Sequence, residues 1–183
     1  KTSTIHTIIP IHTQNKNFKI YRDMTTEKLI KAIKDYERHA LPISKNVFTG
    51  DNITAELIEK HCNRYGINCQ GEQPILIVND SIVGSFGGYG WTGLMITDKT
   101  LYYKCTKDSF LSGLVALSSK GIIPLEQVHT IAIGHHDTCF GTAYVGHQLV
   151  INNEIMGLLR MGGGIEFDDK AISQLTHIFK ATR

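Results

Sequence analysis

The side chains most able to do chemistry lie between residues 129 and 147. This tract contains His129, His135, His136, Cys139 and His147. Zinc accepts imidazole and thiolate ligands, and a cysteine beside a histidine is the pair that a thiol hydrolase needs. Neighbouring residues of one strand point to opposite faces, so two consecutive histidines could share an ion only in a hairpin loop.

We favour a simpler interpretation of this tract, in which it is a polar turn between strands with a neutral, buried Cys139. The chain contains no GxSxG, HExxH or P-loop pattern, which are the short motifs of common hydrolases and nucleotide-binding proteins. We therefore expect no catalytic residues, no metal and no cofactor. A small metal- or Cys/His-dependent hydrolase that uses the region from His129 to His147 is the alternative.

A second candidate site is the segment from Asp80 to Trp91. Within it, residues 84–91 contain four glycines and the three aromatic residues Phe86, Tyr89 and Trp91. Tyrosine and tryptophan are enriched at binding interfaces, so these three residues are the candidate ligand- or partner-binding residues. In the competing interpretation, Phe86 and Trp91 fold back into the core and the glycines allow tight turns.

Charge and cysteine content exclude several classes of protein. Residues 1–70 carry 11 Lys and Arg against 7 Asp and Glu, whereas residues 71–183 carry 8 against 10. Neither part has the basic excess that nucleic-acid binding requires. Four scattered cysteines in a chain of this size indicate reduced thiols and a cytoplasmic location, with an oxidised Cys62–Cys69 pair as the alternative.

The spacing of apolar residues in the N-terminal part of the sequence predicts two amphipathic helices. Residues 1–24 fit either an edge strand or an ordered arm. Residues 25–41 place their apolar side chains on one stripe, with Thr25 or Thr26 as the cap. A second helix is predicted over residues 52–65, with Asp51 as its N-cap, Gly66 at its C-terminal end, and His61 and Tyr65 in its buried stripe.

After Pro74 the pattern changes to short strands separated by turn residues, which is typical of a small barrel or sandwich. Two hairpins are predicted, one around residues 98–100 and one around residues 152–154, where asparagine tolerates a positive φ. The predicted strands are Ile75–Val78, Thr92–Thr97, Leu101–Cys105, Gly113–Leu117, Ile122–Leu125, Val128–Ile133, Cys139–Val145, Gln148–Ile151 and Ile155–Leu159.

A final amphipathic helix is predicted from about Asp169 to Lys180. Ile172, Leu175, Ile178 and Phe179 share one face of it. The glycines at residues 162–164 act as a hinge that lets the chain turn from the last strand. We expect this helix to cover an open end of the barrel by burying Ile172, Leu175 and Phe179.

Three segments resemble bacterial pleckstrin-homology-like (PH-like) domains. The run Gly93–Lys104, GLMITDKTLYYK, resembles one of their hairpins, Gly121–Val128 resembles their I-P-L-x-x-I segment, and Ile151–Glu154 resembles their I-N-G turn. The resemblance covers about residues 75–183. It implies a two-sheet, strongly bent barrel. Together with the helices predicted above, the expected fold is α+β, namely a small antiparallel β-barrel or sandwich of PH-like type with a C-terminal capping helix and an N-terminal two-helix extension.

The expected function depends on the barrel pattern and on the absence of a catalytic motif from the sequence, because a fold does not fix a function. We expect residues 1–70 to form an N-terminal arm and helical segment, and residues 71–183 to form the PH-like barrel. The expected function is a non-enzymatic binding or scaffolding module for a protein or peptide. Lipid binding is a less favoured alternative, because phosphoinositide-binding members carry clustered Lys and Arg in the first hairpin loop and Asp80–Trp91 has none.

Overall fold

The described residues form a curled antiparallel sheet with three helices packed on it. The computed structural model describes residues 24–37, 44, 46–68, 71–80, 92–107, 118–138, 145–159 and 169–182. The described elements, in chain order, are α1 (Thr26–Glu37), β1 (Val47–Thr49), α2 (Ala55–Tyr65), β2 (Pro74–Asp80), β3 (Thr92–Thr97), β4 (Thr100–Thr106), β5 (Ser118–Pro124), β6 (Ile131–Thr138), β7 (Val145–Ile151), β8 (Glu154–Leu159) and α3 (Asp169–Lys180).

Strand β4 is the centre of the sheet. The strand order is β1-β2-β3-β4-β8-β7-β6, and β5 pairs with β4 outside this path. Strand β4 pairs with β3 and with β5, and its last residue, Thr106, pairs with Leu158 of β8. The sheet curls at this junction into a half-barrel. An α+β fold with a curled antiparallel sheet and a C-terminal helix, as predicted, is confirmed.

Strands β2 and β3 are buried on both faces. Leu76, Val78, Leu94 and Ile96 belong to the main core, together with apolar residues of α1 and α3. On the opposite face, Ile77 and Met95 form a second cluster, which residues of α2 complete. This double burial explains the continuous apolar run of β2. The predicted buried strand Ile75–Val78 is confirmed.

The caps of the first two helices are threonines. In α1, the hydroxyl of Thr25 accepts a hydrogen bond from the backbone nitrogen of Lys28 at 3.2 Å. In α2, the hydroxyl of Thr54 accepts from the backbone nitrogen of Leu57 at 3.2 Å. The prediction of Asp51 as the N-cap is wrong, because Asp51 lies in a short 3-10 turn before α2. Gly66 ends α2 in the left-handed conformation, as predicted.

Both predicted hairpins occur. The β3–β4 turn is shorter than predicted, since Thr100 already belongs to β4, and the Thr97 hydroxyl accepts from the backbone nitrogens of Lys99 and Thr100 at 3.1 and 2.8 Å. In the β7–β8 turn, Asn152 and Asn153 have φ values of 51° and 66°. The chosen turn residues therefore adopt the conformation that their short polar side chains permit.

Other strand boundaries differ from the predictions. Strand β5 begins at Ser118 rather than Ile122, so it starts in a polar stretch that carries no apolar signal. Strand β6 begins at Ile131 rather than Val128, because residues 125–127 form a 3-10 turn. The predicted strand Gly113–Leu117 and most of Cys139–Val145 lie outside the described residues, as do residues 1–23 and the hinge at 162–164.

The terminal helix has the predicted bounds, Asp169–Lys180. Leu175 and Phe179 are buried as predicted, and Ile172 is only half-buried. The helix packs against β6, α1 and β1. Its Gln174 side chain accepts a hydrogen bond from the backbone nitrogen of Ser44 at 3.2 Å. The helix thus joins the C-terminal strands to the segment that precedes β1.

Candidate functional site

The three predicted binding residues lie outside the described residues, but the ends of their segment are well defined. Phe86, Tyr89 and Trp91 belong to residues 81–91, which connect β2 to β3. Asp80, the last residue of β2, is the antiparallel partner of Thr92, the first residue of β3. The segment therefore starts and ends at two paired residues of a sheet that is buried on both faces.

Arg64 of α2 ties these two strand ends together. Its Nη1 donates a hydrogen bond to the backbone oxygen of Thr92 at 2.8 Å. Its Nη2 donates to Oδ1 of Asn79 at 3.2 Å. One guanidinium, with its planar set of donors, thus bridges the strand that enters the segment and the strand that leaves it. Helix α2 thereby sets the position of both ends of residues 81–91.

Gly93 provides the space that this arrangement needs. A Cβ atom at position 93 would lie 2.8 Å from Nη1 of Arg64, 2.8 Å from the backbone oxygen of Val78 and 3.2 Å from Cε1 of His61. At 2.8 Å a Cβ atom would overlap the backbone of β2 and would displace the guanidinium of Arg64. The absence of a side chain at position 93 therefore leaves the space in which the Arg64 guanidinium lies.

His61 contacts the guanidinium of Arg64 and is fully buried. Its Nδ1 lies 3.3 Å from the hydroxyl of Tyr65 and its Nε2 lies 3.5 Å from Nη1 of Arg64. Burial, and then the charge of Arg64, lowers the pKa of His61 to about 3. The imidazole is therefore neutral near pH 7. Because it has no exposed surface, it positions Arg64 rather than exchanging protons with a substrate.

A second contact fixes the C-terminal end of α2. The ring of Tyr65 stacks on that of Tyr102 in β4, with centroids 6.1 Å apart. The Tyr102 hydroxyl donates to Oε2 of Glu72 at 3.0 Å, and Glu72 also accepts from the hydroxyls of Thr97 and Thr100 at 2.7 and 3.2 Å. Burial raises the pKa of Tyr102, which keeps it a hydrogen-bond donor.

The cysteines differ from the expectation of reduced thiols. Cys62, in α2 next to His61, is disulfide-bonded, and its partner lies outside the described residues. Cys105 is free and buried. The expectation is therefore wrong for Cys62, and a disulfide is typical of oxidising compartments. The reason for expecting a cytoplasmic location consequently does not hold at this residue.

The histidine tract is divided among several elements. His129 is exposed, just before β6. His135 and His136 both belong to β6, and His136 is the register partner of His147 in β7. The two consecutive histidines are thus in a strand and not in a hairpin loop. Cys139 lies outside the described residues. Among the residues that the structure describes, no group of three or more potential metal ligands occurs.

A cavity of about 340 Å³ lies between α1 and α3. Lys28, Lys31, Asp35, Tyr36 and His177 are among the residues that line it, and the rings of Tyr36 and His177 lie 5.6 Å apart. The lining mixes both signs of charge on a partly open surface. The cavity lies against α1, whereas the contacts described above involve α2.

His61 and Tyr65 lie in the buried stripe of α2, as predicted, whereas the roles of Arg64, Glu72 and Gly93 were not predicted. The spacing of residues 61, 64 and 65 places them on one face of a helix. This spacing is the one feature of the sequence that connects Arg64 with His61 and Tyr65. The partners of Arg64 include a backbone oxygen, which every residue has, so the sequence could not indicate this contact.

Within the described part of the chain, none of the helices has the length and apolar character needed to span a membrane. Comparisons with protein-family models, with curated proteins and with solved structures find no match. The structure itself defines the class: an α+β protein built on a curled antiparallel sheet, with a helix on each side of the β2–β3 hairpin and a third helix at the C-terminus.

The buried histidine predicts how stability depends on pH. The ordinary pKa of histidine is 6.5, and in the folded protein that of His61 is about 3. Between these values the unfolded chain binds a proton that the folded protein does not, so stability falls as the pH falls through this window. From about pH 6 to about pH 4, His61 should contribute a loss of roughly 2–3 kcal/mol.

Urea unfolding of the wild type and of His61→Gln at several pH values checks this. The variant, which has no titrating group at position 61, should show a shallower decline in this window. If the free energy of unfolding fell equally with pH in the two proteins, the pKa of His61 would not be lowered by folding.

Proposed function

We propose that this chain is a non-enzymatic binding or scaffolding module of PH-like type, which recognises a protein or peptide through residues 81–91. The observation that carries the proposal is the fixation of both ends of this segment. The pairing of Asp80 with Thr92 and the bridge from Arg64 hold its flanks in place. Because these flanks are already ordered, a partner that binds between them does not have to order them.

The order of the elements supports the PH-like type. The hairpin at Gly93–Lys104, the curled sheet and the C-terminal helix occur in the order that the resemblance implies. In this proposal residues 71–183 form the PH-like barrel, and residues 1–70 are an N-terminal arm and helical segment attached to it. A fold alone does not fix a ligand, so the choice of ligand depends on the site.

The chemistry of the segment favours a protein over a lipid headgroup. Phe86, Tyr89 and Trp91 are of the types that form the energetic centre of protein interfaces. The segment contains no Lys or Arg, whereas a phosphorylated headgroup requires several converging basic donors. A peptide with apolar or aromatic side chains fits this composition better.

A displayed random-peptide library tests this proposal. Peptides selected on the wild-type protein should bind it, and their affinity for the triple variant Phe86→Ala, Tyr89→Ala, Trp91→Ala should fall by at least about a hundredfold, since each aromatic anchor contributes about 1 kcal/mol or more. Ile155→Ala is the matched control, because Ile155 is an exposed apolar residue on β8 and is not part of the segment. It should bind as the wild type does.

Selected peptides that bind the triple variant and the wild type equally would contradict the proposal. Metal analysis of the purified protein separates the enzyme alternative, because zinc in equimolar amount would favour a site in the tract from His129 to His147. Sedimentation with liposomes at two salt concentrations addresses the lipid alternative, since electrostatic binding weakens as salt increases.

A further inference from the structure

A row of three cationic side chains crosses the face of the sheet on which α2 lies. Strand register places Gly93 of β3, Lys104 of β4 and Lys120 of β5 side by side. Arg64 covers Gly93, because its Nη1 would lie 2.8 Å from a Cβ at that position. The row, which we name the cation row, therefore runs from Arg64 through Lys104 to Lys120.

The arrangement is electrostatically unfavourable by itself. Like charges directly opposite each other on neighbouring strands destabilise a sheet. Lys104 is half-buried, and its pKa is lowered by burial first and then by the charges of Arg64 and Lys120. Among the described residues, neither Lys104 nor Lys120 has a carboxylate partner. Like charges held beside each other with no carboxylate next to the two lysines, in the part of the chain that the structure describes, are typical of a binding site.

An exposed apolar side chain lies beside the cation row. Ile122 is 58% exposed and is the register partner of Tyr102, two residues along each strand from the pair of Lys104 and Lys120. Side chains two residues apart on a strand share a face. Ile122 therefore extends the same surface, which combines positive charge with one accessible apolar contact.

We propose that the cation row binds an acidic segment of a partner protein, whose carboxylates pair with Lys104 and Lys120 and whose neighbouring apolar side chain contacts Ile122. This inference rests on the proposed function in taking a protein as the ligand, and it adds a second surface with a defined chemistry. Carboxylates that approach these lysines would replace repulsion with charge-assisted hydrogen bonds.

The distribution of charge favours an acidic protein over an anionic membrane. The formal net charge of the chain is only +2, so the general attraction to a negative surface is small. Each cation near such a surface contributes about 1 kcal/mol, and stable membrane attachment takes a second anchor. Short-range pairing of a few carboxylates with a few cations requires neither a large net positive charge nor a second anchor.

Fluorescence anisotropy of a labelled hexaglutamate peptide with the full chain tests the inference. The wild type should bind hexaglutamate, should bind it more weakly as salt is added, and should not bind the neutral hexaglutamine peptide. The double variant Lys104→Gln, Lys120→Gln should lose at least about tenfold in affinity. It should also melt at or above the wild-type temperature, because the substitutions remove repulsion.

The double variant Lys170→Gln, Lys180→Gln is the matched control, since it removes the same charge from exposed positions on α3. It should retain the wild-type affinity within about twofold. Equal losses in both double variants, absence of hexaglutamate binding by the wild type, or binding of phosphatidylserine vesicles in place of the peptide would each overturn the inference. If hexaglutamate fails while library peptides still require Phe86, Tyr89 and Trp91, the cation row is refuted and the proposed function stands.

Discussion

Replacing Phe179 with alanine should lower the free energy of unfolding by about 3–5 kcal/mol. The side chain is 3% exposed and belongs to the main core, which α3 shares with α1 and the sheet. A helix of 12 residues is marginal in water without tertiary contacts. Loss of the ring therefore removes packing on which the helix itself depends. Urea unfolding followed by circular dichroism measures the change.

The control for this substitution is Lys180→Ala, at the adjacent exposed position of the same helix. It keeps the helix and removes no buried area, so its effect should stay within about 0.5 kcal/mol. If Phe179→Ala were as stable as Lys180→Ala, α3 would not be packed on the sheet in solution.

Gly157→Ala should be destabilising to a similar degree, by about 3–5 kcal/mol. Gly157 has a φ of 138°, which side-chain-bearing residues rarely adopt, and a Cβ there would lie 2.7 Å from Cβ of Cys105 and 2.7 Å from the backbone oxygen of Thr106. These are the residues at which β4 meets β8, next to the pair of Thr106 and Leu158. The substitution therefore opposes the closure of the sheet.

Gly66→Ala separates the cost of backbone strain from the cost of steric overlap. Gly66 also has a positive φ, 68°, but nothing lies within 4 Å of the added Cβ. Its cost should be confined to backbone strain, about 1 kcal/mol. Urea unfolding of both variants gives the comparison. Equal losses would mean that β8 does not approach β4 closely at Gly157.

Local patterns made much of the fold predictable. The terminal helix was predicted from the spacing of its apolar residues, and the β7–β8 hairpin from two consecutive asparagines that accept positive φ. Strand β2 was predicted from its apolar run. These signals lie within a few residues of one another, so each element is specified by its own sequence.

Contacts between distant segments were not predictable in this way. The closure of the sheet depends on Thr106 meeting Leu158, and neither residue type indicates such a pairing. The choice of Thr54 over Asp51 as the cap of α2 was missed because both are good N-cap residues and the competing 3-10 turn has no sequence signal. An oxidised Cys62 was only the less favoured alternative, because the four cysteines have no regular spacing that would indicate a disulfide framework.

The candidate site was predicted in part. Its aromatic residues were identified from composition alone and remain a prediction. The side chains that fix the flanks of residues 81–91 were not identified, because Arg64 contacts a backbone oxygen and a side-chain amide far along the chain.

The emission of Trp91 tests the central claim, that residues 81–91 bind the partner, most directly. Trp91 is the single tryptophan of the chain, so its fluorescence reports on this segment alone. Titration of the 183-residue chain with a library-selected peptide that lacks tryptophan should shift or quench the emission, and the change should saturate at the affinity measured independently by calorimetry. Binding detected by calorimetry while the emission of Trp91 stays constant would show that the partner is held elsewhere, and would contradict the account.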